Sequence, residues 1–137
     1  FFSKFVDYRV ISDDSGLCIK ALNNRPGIFS ARLAKKNGSF LKAMKFILKK
    51  IKSKKNRSAT FVCSLSYKDE RGKITTVQGN LKGTISDKIV GKNGFGYDPI
   101  FIPRGKKITF GQMSNLKKIS MDHRFLAFKK LLKKIKI

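Results

Sequence analysis

Gly91-Lys92-Asn93-Gly94-Phe95-Gly96-Tyr97-Asp98-Pro99-Ile100-Phe101 is the stretch on which the reading of this chain turns. Three glycines, three aromatic rings, one carboxylate and a proline share eleven positions and then give way to an apolar, strand-like run. Glycine lets the backbone take positive φ or approach a ligand closely. Interleaved Phe and Tyr offer flat faces on which a nucleobase can stack. Pro99 is expected to hold Asp98 in an extended backbone. A loop that only joined two strands would need neither the rings nor the charge.

Outward from this loop, two polar constellations stand near the chain ends. Asp13-Asp14 lies in Ser12-Asp13-Asp14-Ser15-Gly16, read as a polar turn after a strand over residues 6–11. Asp, Ser and Gly all suit turns, which is the plain reading. The chemical reading is a magnesium site, because Mg²⁺ takes hard oxygen ligands and bridges to substrate phosphates through one or two carboxylates. An Asp can also take a proton from an attacking water. His123-Arg124, the second constellation, opens the last helix behind Asp122. Plainly read, Asp122 caps that helix and His123 is an exposed polar residue. Read chemically, Lys118, His123 and Arg124 are donors for a carbonyl oxygen or a phosphate.

Between these points the periodicities alternate. Ser30 to Ala34 reads as a short helix. Ser39 is a helix N-cap, and Phe40, Leu41, Met44, Ile47, Leu48 and Ile51 follow at helical spacing to about Lys52. Ser58 to Tyr67 and Ile74 to Gln78 read as a hairpin, with a further extended segment over Asn80 to Val90 broken at Gly83. Ile100 to Ile102 is a strand. Phe125, Phe128, Leu131, Leu132 and Ile135 mark the final helix. This order predicts an α/β fold, a mixed β-sheet flanked by helices, in one domain over residues 1–137.

Composition narrows the class. The chain has 32 Lys and Arg against 8 Asp and Glu, a net charge of +24. Such a charge attracts phosphate backbones. Only seven of the basic residues are Arg, and Lys, Ile, Phe and Asn all abound, so the charge is read first as a lysine-rich compositional style. Cys18 and Cys63 sit in apolar runs and are read as buried thiols. No zinc-type cluster is expected, because His123 is the single histidine. No apolar run reaches the ~20 residues of a membrane span. The opening Phe1-Phe2-Ser3-Lys4-Phe5 is not a signal peptide. Without an initiator Met, the chain reads as part of something longer.

The three segments, taken together and in this order, resemble the inosine triphosphate pyrophosphatases. Asp13-Asp14-Ser15-Gly16-Leu17 is similar to that family's acidic motif. Pro26-Gly27 with Ser30-Ala31-Arg32 is similar to the segment after it. Asn93 through Phe101 is similar to its most specific stretch, and Lys118 with His123-Arg124 to its C-terminal basic residues. The likeness spans essentially the whole chain.

The resemblance implies an elongated mixed sheet and Mg²⁺-dependent hydrolysis of ITP, dITP and XTP to the monophosphate and pyrophosphate. Asp14 would be the catalytic carboxylate, and Asp13 would join it at the metal. Ser15 would contact substrate. Phe95, Gly96, Tyr97 and Asp98 would form the nucleoside pocket, with Phe95 stacking on the base, and Lys118, His123 and Arg124 would complete it. A buried donor such as Arg124 would meet the 6-oxygen of hypoxanthine or xanthine but face the amino group of adenine. A site built around such a bond can discriminate by ~10⁴-fold. The family is a cytoplasmic homodimer, so no membrane and no specific nucleic acid are expected as partners.

Two features depart from the family pattern. The family's opening strand, its Ser/Thr-Gly-Asn…Lys phosphate loop and its metal-binding Glu have no counterpart here, so an N-terminally truncated domain is expected. Asp122 also stands where the family has Ser. Two other readings stay open: a basic nucleic-acid-binding module, and an inactive truncated relative.

Overall fold

The computed structural model describes residues 8–135. Their centre is a five-stranded sheet in the order β2-β1-β3-β4-β5. The strands are β1 (Val10–Ile19), β2 (Arg25–Gly27), β3 (Ser58–Lys68), β4 (Ile74–Ile85) and β5 (Phe101–Pro103). All four pairings among the described residues are antiparallel. The helices are α1 (Ser30–Asn37), α2 (Phe40–Lys50), α3 (Asn115–Ile119) and α4 (His123–Lys134). The α/β architecture matches the expectation. Of the strand expected over residues 6–11, Val6 and Asp7 lie outside the described residues.

Period-two burial explains why the long strands form. Along β3, Ala59, Phe61, Cys63 and Leu65 are buried while their neighbours are only partly covered. Side chains alternate faces along a strand, so these four share one face. Leu17 and Ile19 of β1 and Val77 and Ile85 of β4 stand on that face by register. Two groups of helices cover it. At one end α1 and α2 bury Ala34, Ala43, Met44 and Ile47 against Leu17, Ile19 and Phe61. At the other, Ala127 and Leu131 of α4 cover Cys63, Leu65 and Val77. The candidate site lies between these groups.

Three local expectations give way to the structure. Ser12 to Gly16 is not a turn. It continues β1, because ten successive residues pair with β3, Asp13 opposite Leu65 and Asp14 opposite Ser64. The segment from Ile74 onward is one strand rather than two, since Gly79 and Gly83 keep their register with Cys63 and Ala59. Asp98 opens a single 3₁₀ turn, Asp98–Ile100, rather than an extended stretch. Tertiary pairing overrides turn propensity in the first two cases.

The helix caps follow the sequence. Ser39 accepts a hydrogen bond from the Lys42 N–H and starts α2. Asp122 accepts one from the Phe125 N–H at 2.8 Å and starts α4. Cys63 is buried and Cys18 half-buried, both as free thiols, and burial pushes both thiols up in pKa.

Candidate active site

The glycine-aromatic loop is held from below. The Asn93 N–H donates to the Gly111 carbonyl, and its side-chain amide donates to the Met113 carbonyl. Gly94 has φ of 73°, and a Cβ there would collide with the Asp98 carboxylate. That glycine is required both for the turn and for the close approach.

The loop's polar and aromatic groups divide their work. Tyr97 is buried, and its hydroxyl donates to the Ser30 carbonyl at 2.6 Å, tying the loop to α1. Burial pushes that hydroxyl up to about 12. Phe40 meets the Tyr97 ring edge-on at 5.2 Å. Asp98 is buried too, and its Oδ2 accepts from the Phe95 N–H at 2.9 Å and from Lys118 Nζ at 2.6 Å. Burial raises the Asp98 carboxyl above its ordinary range, and Lys118 and the Phe95 N–H pull it back. Of the three side chains, only Phe95 is presented outward, 61% exposed. Lys118 Nζ lies 4.5 Å from its ring centroid, and Arg124 Cζ 5.5 Å. Both cations favour the electron-rich faces of the ring.

The start of α4 brings the other donors in. Gly79 of β4 permits this, because a Cβ there would strike the Ala127 nitrogen and the His123 carbonyl. His123 is 4% exposed and stacks on Phe61 at 4.7 Å and 14°. Burial pushes its imidazole down to about 4, so the ring is neutral at pH 7. Its Nδ1 is buried without a hydrogen-bond partner among the described residues. Arg124 Nε donates to Asp13 Oδ2 at 2.8 Å, and its NH2 reaches Ser15 Oγ at 3.5 Å.

The sequence-predicted residues therefore meet in one cleft of about 260 Å³. It is lined by Asp13, Asp14, Ser15, Phe95, Gly96, Tyr97, Asp98, Lys118, His123 and Arg124. Within it Asp13 and Asp14 differ. Strand alternation puts Asp13 and Ser15 on the helix-covered face and Asp14 on the other, at the cleft's rim. Asp13 is neutralised by Arg124. Asp14 has no ion pair or hydrogen bond through its side chain among the described residues.

No group of three or more His, Cys, Asp or Glu side chains among the described residues forms a closed metal cage. Asp14 is the available carboxylate, a hard oxygen donor that would suit a divalent cation whose other ligands came from a bound phosphate. Sequence reasoning missed the cleft's supports. Ser30, Phe40 and Phe61 line it, and Gly79 admits α4. Each looks like an ordinary core or turn residue until the partner element is in place.

Comparison with known proteins places the chain in a family. The model of the Ham1 family matches residues 2–134. The chain is 38% identical over 129 residues to the dITP/XTP pyrophosphatase of Clostridium tetani, covering 94% of this chain and 64% of that protein. It is 44% identical over 131 residues to that of Borrelia duttonii, covering 90% and 65%. It is 38% identical over 133 residues to that of Bacillus subtilis, covering 96% and 67%. The chain thus spans slightly less than two thirds of the clostridial relative's length.

Among solved structures it superposes on the Staphylococcus aureus Ham1 protein with a TM-score of 0.87 and 39% identity, covering 93% of this chain and 67% of that one. For a HAM1 protein from Coxiella burnetii the values are 0.83 and 34%, covering 90% and 65%. With the family model matching nearly the whole chain and the fold shared with solved relatives, the chain belongs to the Ham1 family.

Proposed function

We propose that this domain carries the cleft of a nucleoside triphosphate pyrophosphatase that hydrolyses ITP, dITP and XTP, removing deaminated purines from the nucleotide pool. The observation that supports this best is the exposed Phe95 ring, set over the buried Asp98–Lys118 pair beside neutral His123 and Arg124. A purine stacked on Phe95 would bring its 6-oxygen to donors already in position. Arg124 keeps N–H groups beyond those given to Asp13 and Ser15, because a guanidinium has five. Adenine would present an amino group to those same donors and lose the bond.

In the reaction Asp14 takes a proton from water as that water attacks the α-phosphorus. The bond from the α-phosphorus to its bridging oxygen breaks, and pyrophosphate leaves. Asp13 holds Arg124 by its ion pair and flanks Asp14, and Ser15 contacts the substrate. Mg²⁺ bound with the triphosphate would supply positive charge against the phosphate oxygens, and Asp14 is the residue that would hold it, since Asp13 faces the other side of the strand and is paired with Arg124. The same reading carries a cytoplasmic homodimer. Among the described residues no helix is long and apolar enough to cross a membrane.

The test is pyrophosphate release from ITP and from ATP, with and without Mg²⁺. Release from ITP that needs Mg²⁺ and far exceeds release from ATP supports the reading. Equal release from ATP removes the base-recognition argument. No release from either, with the chain folded, favours an inactive relative.

A further inference from the structure

A second concavity, of about 650 Å³, lies on the other side of α1 from the active cleft. Ser30 and Ala31 of α1 line the cleft, whereas Arg32, Leu33 and Lys36 line this groove. Five of its lining residues are cations: Arg25, Arg32, Lys36, Lys50 and Lys54. Among the described residues none of them is in an ion pair and no carboxylate lines the groove. Two aromatic rings also line it, Phe29 at 49% exposure and Phe46 at 39%. Each has a cation over it: Arg32 Cζ is 5.3 Å from the Phe29 centroid and Lys50 Nζ 5.7 Å from that of Phe46.

The charge here is not a uniform property of the chain. From Ser15 to Lys68 there are fourteen Lys and Arg and not one Asp or Glu, while all eight acids lie outside that stretch. A codon bias that enriches Lys everywhere gives no reason to clear one region of acids. The cleared region supplies β2, α1 and α2, the elements around the groove. An ordinary solvated lysine face mixes both signs of charge and has no need of exposed rings.

We infer that this groove binds single-stranded nucleic acid, with the five cations tracking phosphates and Phe29 and Phe46 stacking on unpaired bases. A positively charged groove carrying aromatic platforms is the arrangement that holds single strands without regard to sequence. Duplex bases are already stacked and have no face to offer the rings. A second copy docked groove to groove is a poor occupant, because five cations would face the same five. An anionic membrane would suit a flat or convex basic face better than a concave one.

The chain contains no Trp, so Phe29→Trp places a single reporter in the groove. Titration with a twelve-residue oligothymidylate should quench that fluorescence. Affinity should fall with salt with a log–log slope of about −3, the slope for four or five released counterions on a single strand. Read by the anisotropy of a dye-labelled oligothymidylate, Phe29→Ala and Phe46→Ala should each weaken binding about tenfold, the usual scale for losing one stacking partner. Phe29→Tyr should restore it. Lys129→Ala with Lys133→Ala, on α4, should weaken it less than threefold.

Both rings are partly exposed, so the alanine variants should fold, and their thermal unfolding confirms this. Binding insensitive to both rings, or lost equally with the α4 lysines, overturns the inference in favour of diffuse charge. Equal affinity for a duplex of the same length overturns it. Vesicles rich in phosphatidylserine that quench the reporter when the oligonucleotide does not overturn it in favour of a membrane surface.

Discussion

Under the proposed reading the cleft has a base end and a phosphate end, and the two are built differently. At the base end, charge is buried and paired. Asp98 and Lys118 are both nearly inaccessible and meet at 2.6 Å, and neutral His123 is sealed against Phe61. Between the two ends and at the phosphate end, charge is half-exposed. Asp13 meets Arg124 with 43% and 40% of their side chains open to solvent, and Asp14 stands at the rim. At the base end the charges are already matched within the described residues. The phosphate end offers one carboxylate, Asp14, without a side-chain partner among the described residues, which suits a site completed by a cation and by the substrate. Recognition of a neutral base needs fixed donors. Handling a triphosphate needs groups whose charge has not already been spent.

The largest effect expected from breaking this contrast is at Lys118. Lys118→Met leaves the Asp98 carboxylate buried beside apolar groups. Removing one partner of a buried pair costs about 3–5 kcal/mol. Urea unfolding at pH 7 should show a loss of that size. Acid should relieve part of it, because Asp98, already raised by burial, can then take a proton. Asp98→Asn in the same background should recover most of the loss, since a neutral amide costs less to bury. A loss below about 1 kcal/mol would mean that the pair is as well solvated as Asp13–Arg124, and the contrast would fail.

His123 sharpens the same contrast through pH. Its folded value of about 4 lies below the ordinary 6.5. The unfolded chain therefore binds a proton first as pH falls. The stability tied to the neutral ring is present above about pH 6.5 and is lost as pH falls towards 4. That difference corresponds to a loss on the order of 3 kcal/mol. Asp98 runs the other way, because a raised carboxyl value favours the folded state in acid. The measurement is thus the stability difference between the wild type and His123→Gln across pH 4 to 7. The difference should narrow towards pH 4 and level off above 6.5. A flat difference would show that the ring is solvated in the folded protein.

How much of this was legible in the sequence follows the same division. The amphipathic helices, the hairpin strands and the caps at Ser39 and Asp122 were readable, because each rests on local spacing. The cleft residues were readable as a set through the resemblance of three short segments. Their division of labour was not. Tyr97 and Asp98 are anchors as well as lining, a fact fixed by Ser30 and Lys118, respectively 67 and 20 residues away. Asp13 and Asp14 look equivalent in a turn and become opposite in a strand. The pairing with β3 that makes the strand is non-local. Gly79 carries no local signal at all, since its role exists only once α4 is packed on β4.

The smallest effects on stability are expected at those two aspartates, and there the comparison with activity matters most. Asp13→Asn removes a half-exposed ion pair and should cost about 0.2–1 kcal/mol in urea unfolding. Asp14→Asn removes a rim carboxylate with no partner and should stay within about 0.5 kcal/mol of wild type. Under the proposed reaction, Asp14→Asn should lower kcat by about 10²–10⁴, the usual contribution of a general base. Asp13→Asn should act mainly through Arg124, raising KM more than it lowers kcat. If the two variants lose kcat equally with equal KM, the carboxylates share one role and the strand alternation separating them is irrelevant to the chemistry. If Asp14→Asn instead destabilises the fold by more than 1 kcal/mol, Asp14 is a structural residue, and the phosphate end is as fully committed to the fold as the base end.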